Sequence, residues 1–389
     1  MNAAARQVTA VRPMRVAIVA HFAWGAISGG RSGHMGGVER QTSMMARWLA
    51  ARGHEVTLIT WDEGQPDDSV IDGVRVVKLC RQDAGLPGVR FFVPRWSSLE
   101  RALAAADADV YYHNCAEYVT GQVAWWCRRH RRAFVYSVAS DMDVVAELPE
   151  LTKGYERVLY RYGLRRADRI VVQTESQREH LRTNFGHDSV VLPMPADAPD
   201  FASRPVRSAP DAARRVVLWV GRIAPVKRLE LLLEVAGRLP AVSFKVAGMP
   251  YAGEAYSEDM LRRARVTPNV EVLGAVPRER MDELYREASL LCCTSHMEGF
   301  PNTFIEAWSW GVPVISTVDP GGVIQRESLG MHATTAESLA RGIESLSGDA
   351  NSWLAMSRNA REYFGIHHQL DAALGRFENL FHGLAESRR

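Results

Sequence analysis

The chain has 389 residues, of which 47% are hydrophobic and 24% are charged, and its formal net charge at pH 7 is +2. That length predicts two domains, since single domains usually hold roughly 100–200 residues. So small a net charge gives no support for nucleic-acid binding, and no apolar run approaches the roughly 20 residues that a membrane-spanning helix needs. Residues 1–13 are polar and rich in alanine, so we expect a disordered leader there rather than a secretory signal.

Short apolar strands alternate with amphipathic helical stretches in the first half of the chain. The first helix, predicted at 38–52, places Met45, Trp48 and Leu49 on one face, and Gly53 ends it. Strands are predicted at 15–20, 55–60, 74–79, 109–113, 134–137, 170–173 and 190–192. This alternation predicts a parallel sheet with helices on both faces.

The pattern breaks between residues 193 and 210, a segment with five prolines that has the composition of a linker. The alternation then begins again, and a last amphipathic helix is predicted at 370–385. The strands of this second half are predicted at 216–220, 242–247, 270–273, 290–294 and 314–316. Helices are predicted at 229–239, at 281–288 and from Asn302 onward.

We therefore predict an α/β protein with two doubly wound, Rossmann-like domains that face a central cleft. The first domain is expected at 14–198, the linker at 199–213, the second domain at 214–366 and a closing segment at 367–389. In open α/β sheets, ligands bind beyond the carboxyl ends of the strands. The loops that follow the predicted strands are therefore the places to look for chemistry.

The five cysteines bear on the location of the protein. None forms a C-x-x-C pair, and no histidine cluster has the spacing of metal ligands. Cys292 and Cys293 lie in an apolar run, so we expect both to be buried packing residues. An odd cysteine count without a signal sequence indicates a cytoplasmic location.

A glycine-rich loop connects the first predicted strand to the first helix, with glycines at positions 29, 30, 36 and 37. Glycines let backbone N–H groups approach an anion, and the helix N-terminus adds a favourable dipole. The loop matches neither the Walker pattern nor G-x-G-x-x-G, which argues against an ATPase and a simple dehydrogenase. A flexible connecting loop is the alternative interpretation.

Two further motifs follow strands of the second half. Gly221 permits a tight exit from its strand, and Arg222 and Lys227 are two cations that can hold a diphosphate. Glu298 and Glu306 flank a helix start, where backbone N–H groups form a second anion site and carboxylates accept hydroxyl hydrogen bonds. The alternatives are a solvated loop for the cations and a simple preference of Glu306 for a helix N-terminus.

Taken together, these residues resemble glycosyltransferase family 4, whose members are retaining enzymes of the GT-B fold. The matches are Gly-Gly-Val-Glu at 36–39, Gly-Arg-x4-Lys at 221–227 and Glu-x7-Glu at 298–306, followed by Gly-Val-Pro-Val at 311–314. They occur in the family's order and spacing, and the resemblance extends over essentially the whole chain.

The resemblance implies roles for individual positions. Arg222, Lys227 and Glu298 would be the catalytic residues, with the two cations on the donor diphosphate and Glu298 facing the donor sugar. Glu306 would bind the nucleotide ribose, and the loop around Gly274 and Val276 would lie near the base. The other donor-binding positions that it implies are Gly37, Gly221, Gly299, Phe300, Pro301, Asn302 and Thr303. The last helix would cross back to the first domain.

The sequence departs from the family on the acceptor side, which the resemblance assigns to the first domain. Many members carry a histidine after the strand that corresponds to 134–137, and this chain has Ser140 and Asp141 in that region instead. Those two residues are candidates for the vacant role. His113 and Asn114, which follow another strand, are further acceptor-side candidates, and a structural loop is the alternative for each.

The implied activity is retaining transfer of a hexose from a UDP- or GDP-sugar to a glycan or lipid-linked acceptor, in polysaccharide or glycoconjugate biosynthesis. The nucleotide sugar would be a co-substrate, and we expect no metal and no other cofactor. A sugar-nucleotide epimerase of the GT-B fold and a non-catalytic nucleotide-sugar-binding subunit are the rival interpretations.

A basic, aromatic stretch raises the question of membrane contact. Trp125 and Trp126 are followed by four arginines at 128, 129, 131 and 132, and the segment 91–96 of the same domain carries three more aromatic residues. Amphipathic surfaces of this kind can lie at a bilayer interface, so peripheral contact with the inner face of the membrane is one expectation. Core tryptophans beside a solvated helix end are the other.

Overall fold

The structure, a computed structural model, describes residues 12–29, 36–198, 200–211, 215–250 and 254–388. Nearly all of the expected leader therefore lies outside the described residues, as do Gly30 and parts of the expected linker.

The described chain forms two compact units. The first comprises the residues up to Val172, Arg178–Leu192 and the residues from Leu374 onward. The second comprises Gln173–Gln177 and Pro193–Ala373. Each unit is built around one sheet.

The first unit contains an eight-stranded sheet with strand order β3-β4-β2-β1-β5-β6-β7-β8. Its strands are β1 (Arg15–Val19), β2 (Glu55–Thr60), β3 (Ser69–Ile71), β4 (Val74–Lys78), β5 (Val110–Asn114), β6 (Ala133–Ser137), β7 (Arg169–Val172) and β8 (Val190–Val191). Neighbouring strands are parallel except for the antiparallel pair of β3 and β4. Apolar runs such as those of β1 and β2 are typical of strands covered on both faces.

Helices surround this sheet and bury its side chains. They are α1 (Trp24–Ser28), α2 (Gly37–Ala51), α3 (Ser97–Ala106), α4 (Tyr118–His130), α5 (Gly154–Arg166) and α6 (Glu175–Phe185). Aromatic residues fill much of the core, among them Tyr111 of β5 and Phe134 and Tyr136 of β6. Their burial removes large apolar surfaces from water, which is the main favourable contribution to folding.

The second unit contains a six-stranded sheet with strand order β11-β10-β9-β12-β13-β14, and all neighbouring pairs are parallel. Its strands are β9 (Val216–Val220), β10 (Ser243–Ala247), β11 (Val270–Gly274), β12 (Leu290–Cys293), β13 (Val314–Ser316) and β14 (Gly330–His332). Its helices are α7 (Leu229–Arg238), α8 (Ala255–Val266), α9 (Arg278–Glu287), α10 (Asn302–Ser309), α11 (Val323–Arg326), α12 (Ala336–Gly348) and α13 (Ala350–His367).

The last helix, α14 (Leu370–Ser387), contributes its residues from Leu374 onward to the first unit. There the rings of Phe377 and Phe381 lie 6.2 and 5.9 Å from the ring of Tyr112 in β5. Its Glu378 accepts hydrogen bonds from Arg52 and His54 at 2.9 and 2.8 Å. Both apolar packing and charged hydrogen bonds therefore hold this helix in the unit.

Each sheet has a point at which the strand order reverses. In the first unit β1 lies between β2 and β5, and in the second unit β9 lies between β10 and β12. Because ligands of open α/β sheets bind at such topological switch points, the loops after β1, β5, β9 and β12 are the favoured places for a site.

The predicted elements agree closely with the observed ones. The strands at 55–60, 216–220 and 314–316 match residue for residue, and the last helix begins at the predicted Leu370. Cys292 and Cys293 are buried as expected. The short strands β3 and β14 were not predicted, and Trp126 is a core residue, so only Trp125 of the expected aromatic pair reaches the surface.

No helix in the described part of the chain combines the length and the apolar character that crossing a bilayer requires.

Candidate active site

The loop that follows β9 leaves the sheet through a close backbone contact. The amide of Gly221 donates a hydrogen bond to the carbonyl oxygen of Ala247, 3.1 Å away. A side chain at the neighbouring Gly248 would collide with the carbonyl oxygen of Gly221. Glycine at position 248 therefore lets the ends of β9 and β10 approach each other, and the loop with Arg222 and Lys227 starts from a fixed point.

Lys227 and Glu298 form an ion pair, although 70 residues separate them in the sequence. The ammonium group of Lys227 donates to Oε1 of Glu298, which also accepts from the hydroxyl of Ser295 at 2.5 Å. Both charged side chains are about one-fifth exposed. Because an ammonium group has three N–H donors, Lys227 keeps donor capacity beyond its bond to Glu298.

Thr294 joins the two loops of this switch point. Its hydroxyl accepts a hydrogen bond from the indole N–H of Trp219 at 3.0 Å and donates to the carbonyl oxygen of Lys227 at 2.7 Å. The amide of His296 donates to the carbonyl oxygen of Val226 at 2.8 Å. Lys227 is therefore held by its backbone as well as by its side chain, which fixes the position of the charge.

Helix α10 begins at Asn302, two residues after Phe300. Pro301 occupies the N-cap position, where a proline ring offers no atom that can accept hydrogen bonds from the first turn. The positive end of the helix dipole and its early N–H groups are therefore suited to an external anion. The ring of Phe300 lies 5.1 Å from that of His368 and 5.9 Å from that of Trp308. This aromatic packing holds the loop before α10 in place.

Glu306 lies on the second turn of α10 and is 8% exposed. The hydroxyl of Tyr285 donates to its Oε2 at 2.8 Å. This bond orients a carboxylate that can accept hydroxyl groups of a ligand. Arg222 is exposed in the loop after β9. Gly274 ends β11 with a φ of +66°, a conformation that favours glycine.

In the first unit, Gly37 is the first residue of α2 and Gly36 is its N-cap. A side chain at Gly36 would collide with the carboxylate of Glu39, which folds back over the helix N-terminus. The carboxylate of Glu39 therefore already compensates the positive end of the α2 dipole. Gly30, in the same loop, lies outside the described residues.

The acceptor-side candidates occupy two places in the first unit. His113 and Asn114 are buried at the end of β5. Both side-chain polar atoms of Asn114 lack a hydrogen-bond partner within the described residues, which is unusual for a buried amide. Ser140 caps the short turn Asp141–Val144 by accepting a hydrogen bond from Met142 at 3.2 Å, and Asp141 is half-buried in that turn.

Several residues of these loops carry contacts that sequence reasoning missed. Thr294, Ser295 and Tyr285 hold the charged groups of the second unit, and Gly248 allows the close approach of β9 and β10. The polar pair Thr294-Ser295, directly after an apolar strand, could have indicated from the sequence that these residues belong to the site. The contribution of Gly248 depends on strand pairing, which the sequence does not display.

Two doubly wound, mostly parallel sheets, each with a switch point, are the architecture of the GT-B fold. Two family descriptions match the chain: "Glycosyl transferase 4-like domain" over residues 36–195 and "Glycosyl transferases group 1" over residues 202–363. The chain belongs to the group 1, family 4 glycosyltransferases of the GT-B fold.

Relatives and solved structures agree with this assignment. The chain is 27% identical over 325 residues to the D-inositol 3-phosphate glycosyltransferase of Mycolicibacterium smegmatis, a match that covers 75% of this chain and 73% of the relative. The enzyme of the same description from Mycolicibacterium paratuberculosis is 26% identical, with 97% and 93% covered.

Sucrose-phosphate synthase from Thermosynechococcus elongatus superposes with a TM-score of 0.77 at 20% identity, covering 96% of this chain and 99% of that one. The Anabaena protein HepE, solved in complex with UDP, gives a TM-score of 0.74 at 16% identity, with 95% and 100% covered. These two similarities establish the shared fold.

Proposed function

We propose that this glycosyltransferase moves a hexose from a nucleotide diphosphate sugar to an acceptor hydroxyl with retention of the anomeric configuration. The observation that carries the proposal is the Lys227–Glu298 ion pair at the switch point of the second sheet. Glu298 directly precedes Gly299 and lies three residues before Pro301, the N-cap of α10. A fixed cation and an uncapped helix start suit a diphosphate.

The proposed reaction proceeds on one face of the sugar. The bond between the anomeric carbon and the diphosphate oxygen breaks, and its electron pair leaves with the nucleotide diphosphate. The acceptor oxygen then bonds to the same carbon from the same side, and its proton passes to the departing phosphate oxygen. Lys227 and Arg222 stabilise the charge that develops on the leaving group, while Glu298 faces the sugar.

The donor is a UDP- or GDP-sugar in this proposal. HepE, a protein of the same fold, was solved with UDP and with UDP-glucose. Glu306, oriented by Tyr285, would accept hydroxyl hydrogen bonds from the ribose, and Gly274 would lie near the base. The backbone of Phe300, Pro301, Asn302 and Thr303 would hold phosphate and sugar hydroxyls.

The proposed acceptor is a glycan or a lipid-linked molecule, bound by the first unit near Asn114. The lipid-linked form gains support from an aromatic surface patch made of Phe91, Phe92, Trp96, Trp125 and Tyr155. The rings of Trp96 and Trp125 lie 5.9 Å apart and those of Phe91 and Tyr155 lie 5.0 Å apart.

Cations accompany the rings of this patch: the guanidinium carbon of Arg129 lies 6.0 Å from the Trp125 ring centroid, and Nζ of Lys153 lies 5.7 Å from that of Tyr155. Exposed aromatic rings among cations favour a bilayer interface with anionic lipids. Wild-type protein should float with anionic liposomes, and Phe92→Ser should weaken flotation, whereas Val266→Ser, at an exposed apolar position of the second unit, should not. Absence of wild-type flotation would remove the membrane proposal.

We also propose that the diphosphate is stabilised without a metal ion, since cationic side chains and helix N–H groups would meet its charge. Removing divalent cations with EDTA should leave the affinity for the nucleotide sugar within about twofold of its original value. A loss of transfer in EDTA that Mn²⁺ restores would contradict this part of the proposal.

The experiment that tests the function is a panel of UDP-, GDP- and ADP-sugars assayed for thermal stabilisation and for nucleotide release. A ligand that binds only the folded chain stabilises it by roughly 2.7 kcal/mol at a concentration of 100 Kd. We expect one class of donor to stabilise the protein and to be turned over slowly in water. Binding without any release of nucleotide would favour a non-catalytic binding subunit, and interconversion of the intact donor sugar would favour an epimerase.

A further inference from the structure

Two clusters of metal-ligand side chains occur in the first unit. Each offers three ligand atoms that all lie within 4.8 Å of one another. The first cluster consists of His54, Glu378 and His382, and the second consists of His113, Cys115 and Glu117. The family assignment uses neither, and the hydrogen bonds of the histidines distinguish them.

In the first cluster the key imidazole presents the wrong nitrogen. The amide of Met14 donates a hydrogen bond to Nδ1 of His54 at 3.3 Å, so in this arrangement Nδ1 carries a lone pair and Nε2 carries the proton. That Nε2 donates to the carboxylate of Glu378 at 2.8 Å. A metal needs the lone pair of the nitrogen that faces it. His54 and Glu378 therefore form a structural hydrogen bond that holds α14 in the first unit.

In the second cluster the imidazole has one nitrogen whose lone pair is not used by a hydrogen bond. Nδ1 of His113 lies 2.9 Å from the carbonyl oxygen of Val19, and since a carbonyl can only accept, Nδ1 carries the proton. The lone pair is therefore on Nε2, which is buried and has no hydrogen-bond partner within the described residues. A ring N–H held by a backbone carbonyl is the usual support for a metal-bound histidine, because it fixes both the tautomer and the orientation.

The second member of this cluster, Cys115, is held in an uncommon backbone conformation. Cys115 has a φ of +80°, a left-handed conformation that costs a non-glycine residue roughly 1–2 kcal/mol. Its sulfur lies within 4.8 Å of a carboxylate oxygen of Glu117. Strained backbone of this kind is concentrated at functional sites.

Glu117 is the N-cap residue of α4, yet its side chain makes no capping hydrogen bond. Its Oε2 lies 3.2 Å from Nδ1 of His21, in the loop that follows β1. The carboxylate is therefore directed to His21 and not to the first turn of α4. His21 holds it in the cluster from the neighbouring strand end, at the topological switch point of the first sheet.

We propose that His113, Cys115 and Glu117 form a zinc site at the carboxyl ends of β1 and β5. A nitrogen, a sulfur and an oxygen ligand match the preference of Zn²⁺ for imidazole, thiolate and carboxylate, and three protein ligands leave the fourth tetrahedral position to water. As the sulfur–zinc bond forms, the Cys115 thiol releases its proton to solvent. His21 acts outside the ligand set and orients Glu117.

The test uses the untagged full-length chain, freed of metal by dialysis against a chelator and then titrated with Zn²⁺ against a chromophoric competitor. We expect one Zn²⁺ per chain. Cys115→Ser and His113→Gln should each lower the affinity at least tenfold, and the glutamine amide keeps an N–H for the carbonyl of Val19. Cys80→Ser is the matched control, because Cys80 is half-buried like Cys115 and lies outside the cluster, and it should bind as the wild type does.

Substitution with Co²⁺ gives a second readout that does not depend on activity. The wild type and Cys80→Ser should show a thiolate-to-cobalt charge-transfer band, and Cys115→Ser should lack it while keeping its helical circular dichroism. Lack of Zn²⁺ uptake by the wild type, or unchanged uptake in Cys115→Ser, would overturn the proposal. It stands apart from the proposed donor chemistry, because zinc uptake and nucleotide release are measured separately.

Discussion

At the residue scale, the candidate donor site depends on the positive charge of Lys227, whose position is fixed by three hydrogen bonds. The carboxylate of Glu298 accepts from the Lys227 ammonium group, Thr294 donates to the Lys227 carbonyl, and His296 donates to that of Val226. Groups that are already oriented stabilise a developing charge without the reorganisation that water would need. Lys227 is therefore the residue whose loss should affect transfer most directly.

Replacing Lys227 by alanine should lower kcat about 10²–10³-fold, the usual loss when one preorganised electrostatic group is removed. Lys245→Ala is the control, since Lys245 in β10 also pairs with a carboxylate, Glu287, at 2.7 Å but lies outside the loops of the switch point. Steady-state rates with the best donor of the panel measure both variants. A Lys227→Ala enzyme within tenfold of the wild type would disprove the assigned role.

A buried carboxyl group in the first unit predicts a pH dependence of stability. Burial raises the pKa of Asp143 to about 7, although the amide of Ala139 donates to its carboxylate at 2.8 Å. In the unfolded chain an aspartate titrates near about 3.9, so between these values the unfolded state binds fewer protons than the folded state. The contribution of Asp143 is therefore fully present below about pH 4 and is lost as the pH rises through about 7.

Asp143→Asn cannot titrate, so its free energy of unfolding should lack this decline. The wild type should lose on the order of a few kcal/mol relative to the variant between pH 4 and pH 7.5. Urea unfolding of both proteins at several pH values makes the comparison. Parallel stability curves would show that folding does not raise the pKa of Asp143.

At the element scale, the ends of parallel strands determine which loops can meet. The loops after β9 and β12 come together because these strands are neighbours at the reversal of strand order, and Gly248 lets β10 approach the exit of β9. Helix α10 then starts at an N-cap without a side-chain acceptor. The chemistry attributed to this site therefore follows from where strands end and helices begin.

Gly248→Ala should destabilise the second unit, because the new Cβ would collide with the carbonyl oxygen of Gly221. Overpacking of this kind costs about 1–3 kcal/mol, so the variant should unfold at a lower temperature. Gly237→Ala in α7 is the control: its Cβ would meet no heavy atom within 4 Å, and alanine should stabilise a helix position by roughly 0.5–1 kcal/mol. Equal melting temperatures for the two variants would contradict the argument.

Sequence patterns predicted the elements well where burial controls the pattern. Apolar runs such as Glu55–Thr60 located the strands, and the three motifs indicated the loops that carry charge. The strands β3 and β14 were missed because each is short and mostly unburied, so neither displays the continuous apolar run that revealed the equally short β13.

Contacts between residues that are far apart in the chain could not be predicted from the sequence. The Lys227–Glu298 pair requires β9 and β12 to be neighbours, and the His113–Cys115–Glu117 cluster needs a left-handed turn at Cys115. No spacing rule for metal ligands encodes that turn, which is why the sequence predicted no histidine cluster.

At the scale of the whole molecule, the two family descriptions cover residues 36–195 and 202–363 and so include most of both units. Each unit has one switch point with polar or charged loops beside it. In the proposed function the second unit binds the donor and the first unit binds the acceptor, so neither unit alone would carry out transfer. Retention at the anomeric carbon is the claim that unites these assignments.

The most direct test of that claim is time-resolved proton NMR of the sugar released from an α-linked nucleotide sugar by the wild-type protein. Front-face chemistry predicts that the α-anomer appears first, before mutarotation mixes the two forms, and that Lys227→Ala slows its appearance. First appearance of the β-anomer would contradict the account.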